Sequence, residues 1–171
     1  MKMFNPWKTR RFLPAAVVAV MAATGTLAAS PDDGPKPPAD FQHGYLANSM
    51  LVTKEPNKTG LLTGVHLIRV NAVGLDRFKR GGATPYPDGT VFVDDVREFS
   101  VDDGAYQEGA RKFLTVMVKD SKKYASTGGW GFQAWPGGDL SKPIVNDAAK
   151  QCFSCHVPRN GNDYVFSTYL P

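Results

Sequence analysis

Apolar residues fall along the chain in short runs, most of them closed by glycine, proline or aspartate. Runs of this length, rich in Val, Ile and aromatic residues, predict strands at 61–70, 90–99, 113–118, 130–135 and 164–170. Tyr86-Pro87-Asp88-Gly89 is a strong turn signal that opens the second of these. Helical spacing is rarer. Phe41, Tyr45, Leu46 and Met50 recur at helical intervals and predict a helix over 41–52. A short helix is expected through Leu75 and Phe78, one helical turn at 121–125, and a further helix at 144–153. Strands outnumber helices, so the expected class is mainly β (α+β): an antiparallel sheet with a few helices. There is no internal repeat.

The N-terminus changes this picture. Lys2, Lys8, Arg10 and Arg11 precede an apolar run over 12–23 that Pro14 interrupts, and small residues follow to Ala28 and Ala29. This is the pattern of a signal peptide over 1–29, cleaved after Ala28 or Ala29. The run falls short of the roughly 20 residues that span a bilayer, which weighs against a membrane anchor. No cysteine follows it to carry a lipid. Residues 30–40, rich in Pro and Asp, read as a flexible linker, leaving a single domain over 41–171.

Charge then loses its apparent meaning. The whole chain of 171 residues has 20 Lys and Arg against 16 Asp and Glu. The leader holds four of the cations and no acid, so the remainder is formally neutral. Nothing in that balance points to nucleic acid or a membrane surface. With 42% hydrophobic residues the chain can build a core without disulfides.

The two cysteines lie in Cys152-Phe153-Ser154-Cys155-His156. Two thiols at this spacing can each add to a vinyl group of one haem, and the adjacent histidine is then held against the ring face as an iron ligand. A structural zinc site needs about four ligands, and His43 and His66 are distant in sequence. A thioredoxin-like redox pair belongs near the start of its fold, not the end. The motif therefore predicts one covalent c-type haem, with Cys152 and Cys155 as thioethers and His156 as the proximal ligand. It also bears on export. Arg10-Arg11 resembles a twin-arginine signal, but that route carries folded chains, whereas haem is attached to an unfolded one, so Sec export to the periplasm is the expectation.

Electron-transfer cytochromes fill the sixth iron position with Met or His. Here Met50, Met117, His43 and His66 are the candidates, and each has an ordinary packing or surface reading. None of them is compelling.

Several segments together resemble the cytochrome P-460 and cytochrome c′-beta family. They are Ile68-Arg69-Val70, Asp88-Gly89-Thr90-Val91-Phe92-Val93, Val118-Lys119-Asp120-Ser121-Lys122 and Gly129-Trp130-Gly131-Phe132, with the late haem motif and Val165-Phe166-Ser167-Thr168-Tyr169. The resemblance covers roughly residues 41–171. It implies a mainly β, usually dimeric, periplasmic protein with a five-coordinate haem iron. Catalytic members oxidise hydroxylamine and carry a lysine cross-linked to the porphyrin. The c′-beta members lack the cross-link, have an apolar distal pocket containing phenylalanine, and bind nitric oxide or carbon monoxide.

The lysine position pairs with Asp94 here, and a distal glutamate of the catalytic members pairs with Thr115. Neither residue can do the family's chemistry, so the resemblance implies the gas-binding type. Thr90, Phe92 and Asp94 share one strand face, making Phe92 a candidate distal cap. Its alternative is plain core. Arg69 matches an arginine near the distal pocket of the catalytic members and is a possible partner for Asp94, with a surface salt bridge as its alternative. Asp94 and Asp95 could equally be solvated strand-edge residues. The expected function is binding of diatomic gases in nitric oxide scavenging, sensing or transport, with a small redox protein as a possible partner. The competing expectations are a hydroxylamine- or nitric oxide-oxidising enzyme and a simple electron carrier.

Overall fold

In the computed structural model, residues 34–54, 60 and 62–171 are described; the leader reading lies outside them. Among the described residues, five strands form one antiparallel sheet in sequential order: β1 (Tyr45–Val52), β2 (Gly64–Val70), β3 (Val91–Asp102), β4 (Ala105–Lys119) and β5 (Trp130–Pro136). The mainly β (α+β) class is what the structure shows. One nine-residue helix, α1 (Ala72–Arg80), links β2 to β3, and short helical turns over Ala149–Asn162 carry the cysteine motif.

Cross-strand partners in an antiparallel sheet point to the same side, so register sorts the side chains into two faces. Val70, Phe92, Met117 and Phe132 form one row across β2 to β5. All four are buried, in a core with Phe78, Tyr86, Trp130 and Val165. The opposite face carries Val93, Leu114, Val116 and Trp135, against which Phe41 packs. The motif segment lies on the first face: Ala148, Cys152, Phe153 and Tyr164 all pack against that core.

The helix α1 starts where Asn71 caps it, accepting hydrogen bonds from the backbone N–H of Gly74 (3.2 Å) and Val91 (3.1 Å). Gly74 sits so close to Thr90 that a Cβ there has no room. Gly81, at φ 64°, ends the helix, and Arg77, in its last turn, is buried. Its guanidinium donates to the Gly82 carbonyl (2.5 Å), the Thr84 carbonyl and Asn162 Oδ1 (3.3 Å), and stacks 4.3 Å over the Tyr86 ring. The helix, its following loop and the motif segment are thereby fastened together.

Three expected elements differ. Residues 41–52 are not a helix: Phe41–His43 is a 3-10 turn, and the rest is the edge strand β1. A bulge between Leu46 and Asn48 breaks its alternation, which is why its apolar spacing resembles a helical one. Residues 164–170 are not a strand. Asp163 and Tyr164 adopt left-handed backbone (φ 48° and 66°), and Asn162 Nδ2 donates to the carbonyls of Val165 and Ser167 in place of a ladder. The helix expected at 144–153 begins only near 148. Before it, Ile144 and Val145 hydrogen-bond extended against β5, to the Ala134 carbonyl and Gln133 Oε1. At 121–125 turns lead into a 3-10 turn at Ala125–Thr127.

Candidate functional site

The site is organised around His156. Its Nδ1 lies 2.7 Å from the carbonyl oxygen of Tyr164. A carbonyl only accepts, so Nδ1 carries the proton and the neutral ring keeps its lone pair on Nε2. Burial pushes the His156 pKa below its ordinary value, with the Tyr164 bond only partly opposing it. The ring is thus held neutral with one nitrogen ready to bind metal, in the usual arrangement of a histidine ligand fixed through its other nitrogen. The left-handed backbone at Asp163 and Tyr164 turns that carbonyl back onto the ring.

Aromatic rings wall the site. Phe132 of β5 lies 5.0 Å and Phe166 4.9 Å from the imidazole, centroid to centroid. Phe153, between the cysteines, packs 4.9 Å from Tyr164. Cys155 is exposed and Cys152 half-buried, and both are free thiols. Burial, together with the neighbouring Cys155, raises the Cys152 thiol to about 11. One exposed thiol, one half-buried thiol and an oriented imidazole on one segment, beside apolar walls, fit the needs of a covalently held porphyrin.

The segment that carries them is anchored by a buried ion pair. Lys119 Nζ lies 2.9 Å from the Asp163 carboxylate, with side-chain exposures of only 5% and 7%. The Lys119 ammonium also donates to the Gly128 carbonyl (3.0 Å), and Asp163 accepts from the Tyr86 N–H (2.7 Å). The Trp130 indole N–H donates to the Asp163 backbone carbonyl (2.9 Å). Sheet and motif segment meet at this point.

Beside the buried row of Phe92 and Phe132 runs a second row on the same face: Ile68, Asp94, Thr115 and Ala134. All four are half-buried although they lie mid-sheet. The register makes Asp94 and Thr115 direct cross-strand partners. Asp94 does not meet Arg69. Arg69 pairs with Val93, on the opposite face. Asp94 instead takes His66, which lies 2.7 Å away through Nδ1. His66 Nε2 is 2.7 Å from the Leu62 carbonyl. With both nitrogens used, His66 has none left for iron.

Asp95 is not a solvated edge residue either. It is buried on the other face, where Arg111 (2.7 and 2.9 Å) and Arg97 (3.1 Å) hold it. Phe92 is enclosed by Phe78, Tyr86 and Trp130, at centroid distances of 6.2, 5.3 and 6.2 Å. Its ring belongs to the core cluster that also takes in Phe132 and, at its edge, Cys152 and Phe153.

A family model described as Cytochrome P460 matches residues 38–167. The chain belongs to the cytochrome P460 family. It is accordingly a c-type haem protein, and proteins of this family are generally exported. No curated protein matches the chain.

Sequence reasoning found the motif but missed two contributors. Tyr164 acts through its backbone oxygen, which leaves no side-chain signature. His66 looked like a lone histidine. Its partner is 28 residues away, and only the β2–β3 register brings the two together.

Proposed function

We propose that the protein is a periplasmic cytochrome that carries one haem and binds uncharged diatomic gases, nitric oxide or carbon monoxide, in nitric oxide scavenging, sensing or transport. Cys152 and Cys155 form the two thioethers and His156 is the proximal iron ligand. The observation that carries the gas-binding reading is the composition of the half-buried row. Where a cross-link lysine and a general base would be needed, it offers Asp94, already tied to His66, and Thr115. A carboxylate cannot supply the lysine's nitrogen, and a threonine hydroxyl is no base at neutral pH.

When bound, the haem would supply an iron able to take up a small gas ligand. The chain does the rest. Tyr164 orients His156 and fixes its tautomer, Phe132 and Phe166 flank the imidazole, and the two thiols prevent loss of the group in dilute surroundings. Residues 1–29 act as a Sec signal peptide, 30–40 as the linker and 41–171 as the haem domain. A homodimer is the expected assembly. The β3–β4 ribbon extends past its neighbours in the sheet and exposes Val101 and Tyr106, which supports an assembly surface there.

Intact mass and peptide mapping test this. The mass should equal the chain cleaved after Ala28 or Ala29 plus one haem, and haem should appear only on the peptide holding Cys152 and Cys155. A second haem-linked peptide containing a lysine would favour hydroxylamine oxidation instead.

A further inference from the structure

The Asp94–His66 pair is not explained by packing alone. His66 is the buried member, with 7% of its side chain exposed, and Asp94 the more open one at 21%. The Leu62 carbonyl can only accept, so His66 Nε2 always carries a proton. Asp94 Oδ2 then faces Nδ1 at 2.7 Å, which makes the pair an imidazolium and a carboxylate sharing one hydrogen bond. Burial alone would lower the His66 pKa, yet the bond and charge of Asp94 outweigh it and the value is raised. Lys112 of β4 opposes the histidine's charge.

The second carboxylate oxygen, Asp94 Oδ1, is enclosed and has no hydrogen-bond partner among the described residues. A buried acceptor without a donor is costly and calls for an explanation. It lies on the sheet face against which the cysteine motif packs, in the row bordering Phe92 and Phe132.

We propose that Asp94, held by His66, is a specificity-determining residue of the candidate haem site: it turns small anions away and leaves uncharged diatomic gases unaffected. The inference rests on the haem reading above. An anion brought near Oδ1 meets an acceptor with no donor to soften it, whereas carbon monoxide and nitric oxide carry no charge for the carboxylate to oppose. The imidazolium behind Oδ2 offsets part of the negative charge. Removing the carboxylate and removing the imidazolium should therefore act in opposite directions.

The test is ligand binding to purified holoprotein at neutral pH, with azide on the ferric form and carbon monoxide on the ferrous form. Asp94→Asn and Asp94→Leu should each bind azide about tenfold more tightly, equivalent to about 1.4 kcal/mol. His66→Gln, which leaves the carboxylate uncompensated, should bind azide more weakly than wild type. Carbon monoxide affinity should stay within about twofold throughout. A merely structural pair would not give opposite signs. If Asp94→Leu does not fold, the near-isosteric Asn variant decides. Azide affinity unchanged in the Asp94 variants, while carbon monoxide still binds, would overturn the role of Asp94 alone. Wild-type protein that binds no carbon monoxide would overturn the haem-ligand reading and this inference with it.

Discussion

The Lys119–Asp163 pair provides the sharpest stability test, because it fixes the segment that presents His156. Replacing Asp163 by Asn keeps side-chain shape, tolerance of the left-handed backbone and one acceptor for the Tyr86 N–H. What it removes is the charge. Lys119, 5% exposed, is then left with the Gly128 carbonyl at 3.0 Å and the Trp130 ring at 4.9 Å. Stripping one partner from a buried pair costs about 3–5 kcal/mol, since the other charge stays buried and uncompensated. The acceptor retained by Asn puts Asp163→Asn near the lower end, about 3 kcal/mol, which corresponds to a fall in Tm of about 10 °C for a domain of this size. Guanidinium unfolding of the holoprotein measures it. Adding Lys119→Met to Asp163→Asn should recover more than half of the loss, because the stranded charge is gone. A cost below about 1 kcal/mol for the single variant, or single-variant costs that simply add in the double, would refute the argument.

Other expected outcomes follow from the same geometry. His66 has a raised pKa in the folded state, so its contribution is present in full below about 6.5 and is lost as pH rises through the folded value; unfolding midpoints should fall over that range in wild type and not in Asp94→Asn. Phe92→Ala should cost about 3–5 kcal/mol as a buried aromatic truncation, with carbon monoxide binding at nearly the wild-type rate because the ring is enclosed by Phe78, Tyr86 and Trp130; faster binding would return Phe92 to the role of distal cap. Cys152→Ala and Cys155→Ala should each give little stable holoprotein in a periplasmic expression test, and normal yields would show that the thiol concerned is not needed for attachment.

Much of the fold was legible because β2, β3 and β5 announce themselves locally. Their Val, Ile, Phe and Trp runs are bounded by turn residues, and Asn71 and Gly81 bracket α1. The errors share a physical origin in the competition between local pattern and tertiary contact. The bulge in β1 disguised a strand as a helix. The outer parts of β3 and β4, over 97–111, were only partly read because a ribbon exposed on both faces has no need of apolar alternation. The end of the chain resembled a strand by composition, yet Asn162 supplies hydrogen bonds that a neighbouring strand would otherwise make. The site divides in the same way. Cys152, Cys155 and His156 are adjacent in sequence and visible at once. The proposed pairing of Asp94 with Arg69 failed because residues one step apart in β2 point to opposite faces, and Ile68, not Arg69, stands beside Asp94.

The proposed function stands on a covalent haem that His156 would hold and that would take up a small gas ligand. The absorption spectrum of the purified, dithionite-reduced protein, recorded before and after carbon monoxide, decides it. A high-spin, five-coordinate ferrous spectrum that converts fully to a carbon monoxide complex is the expected result. A low-spin, six-coordinate spectrum that carbon monoxide leaves unchanged would refute the gas-binding reading.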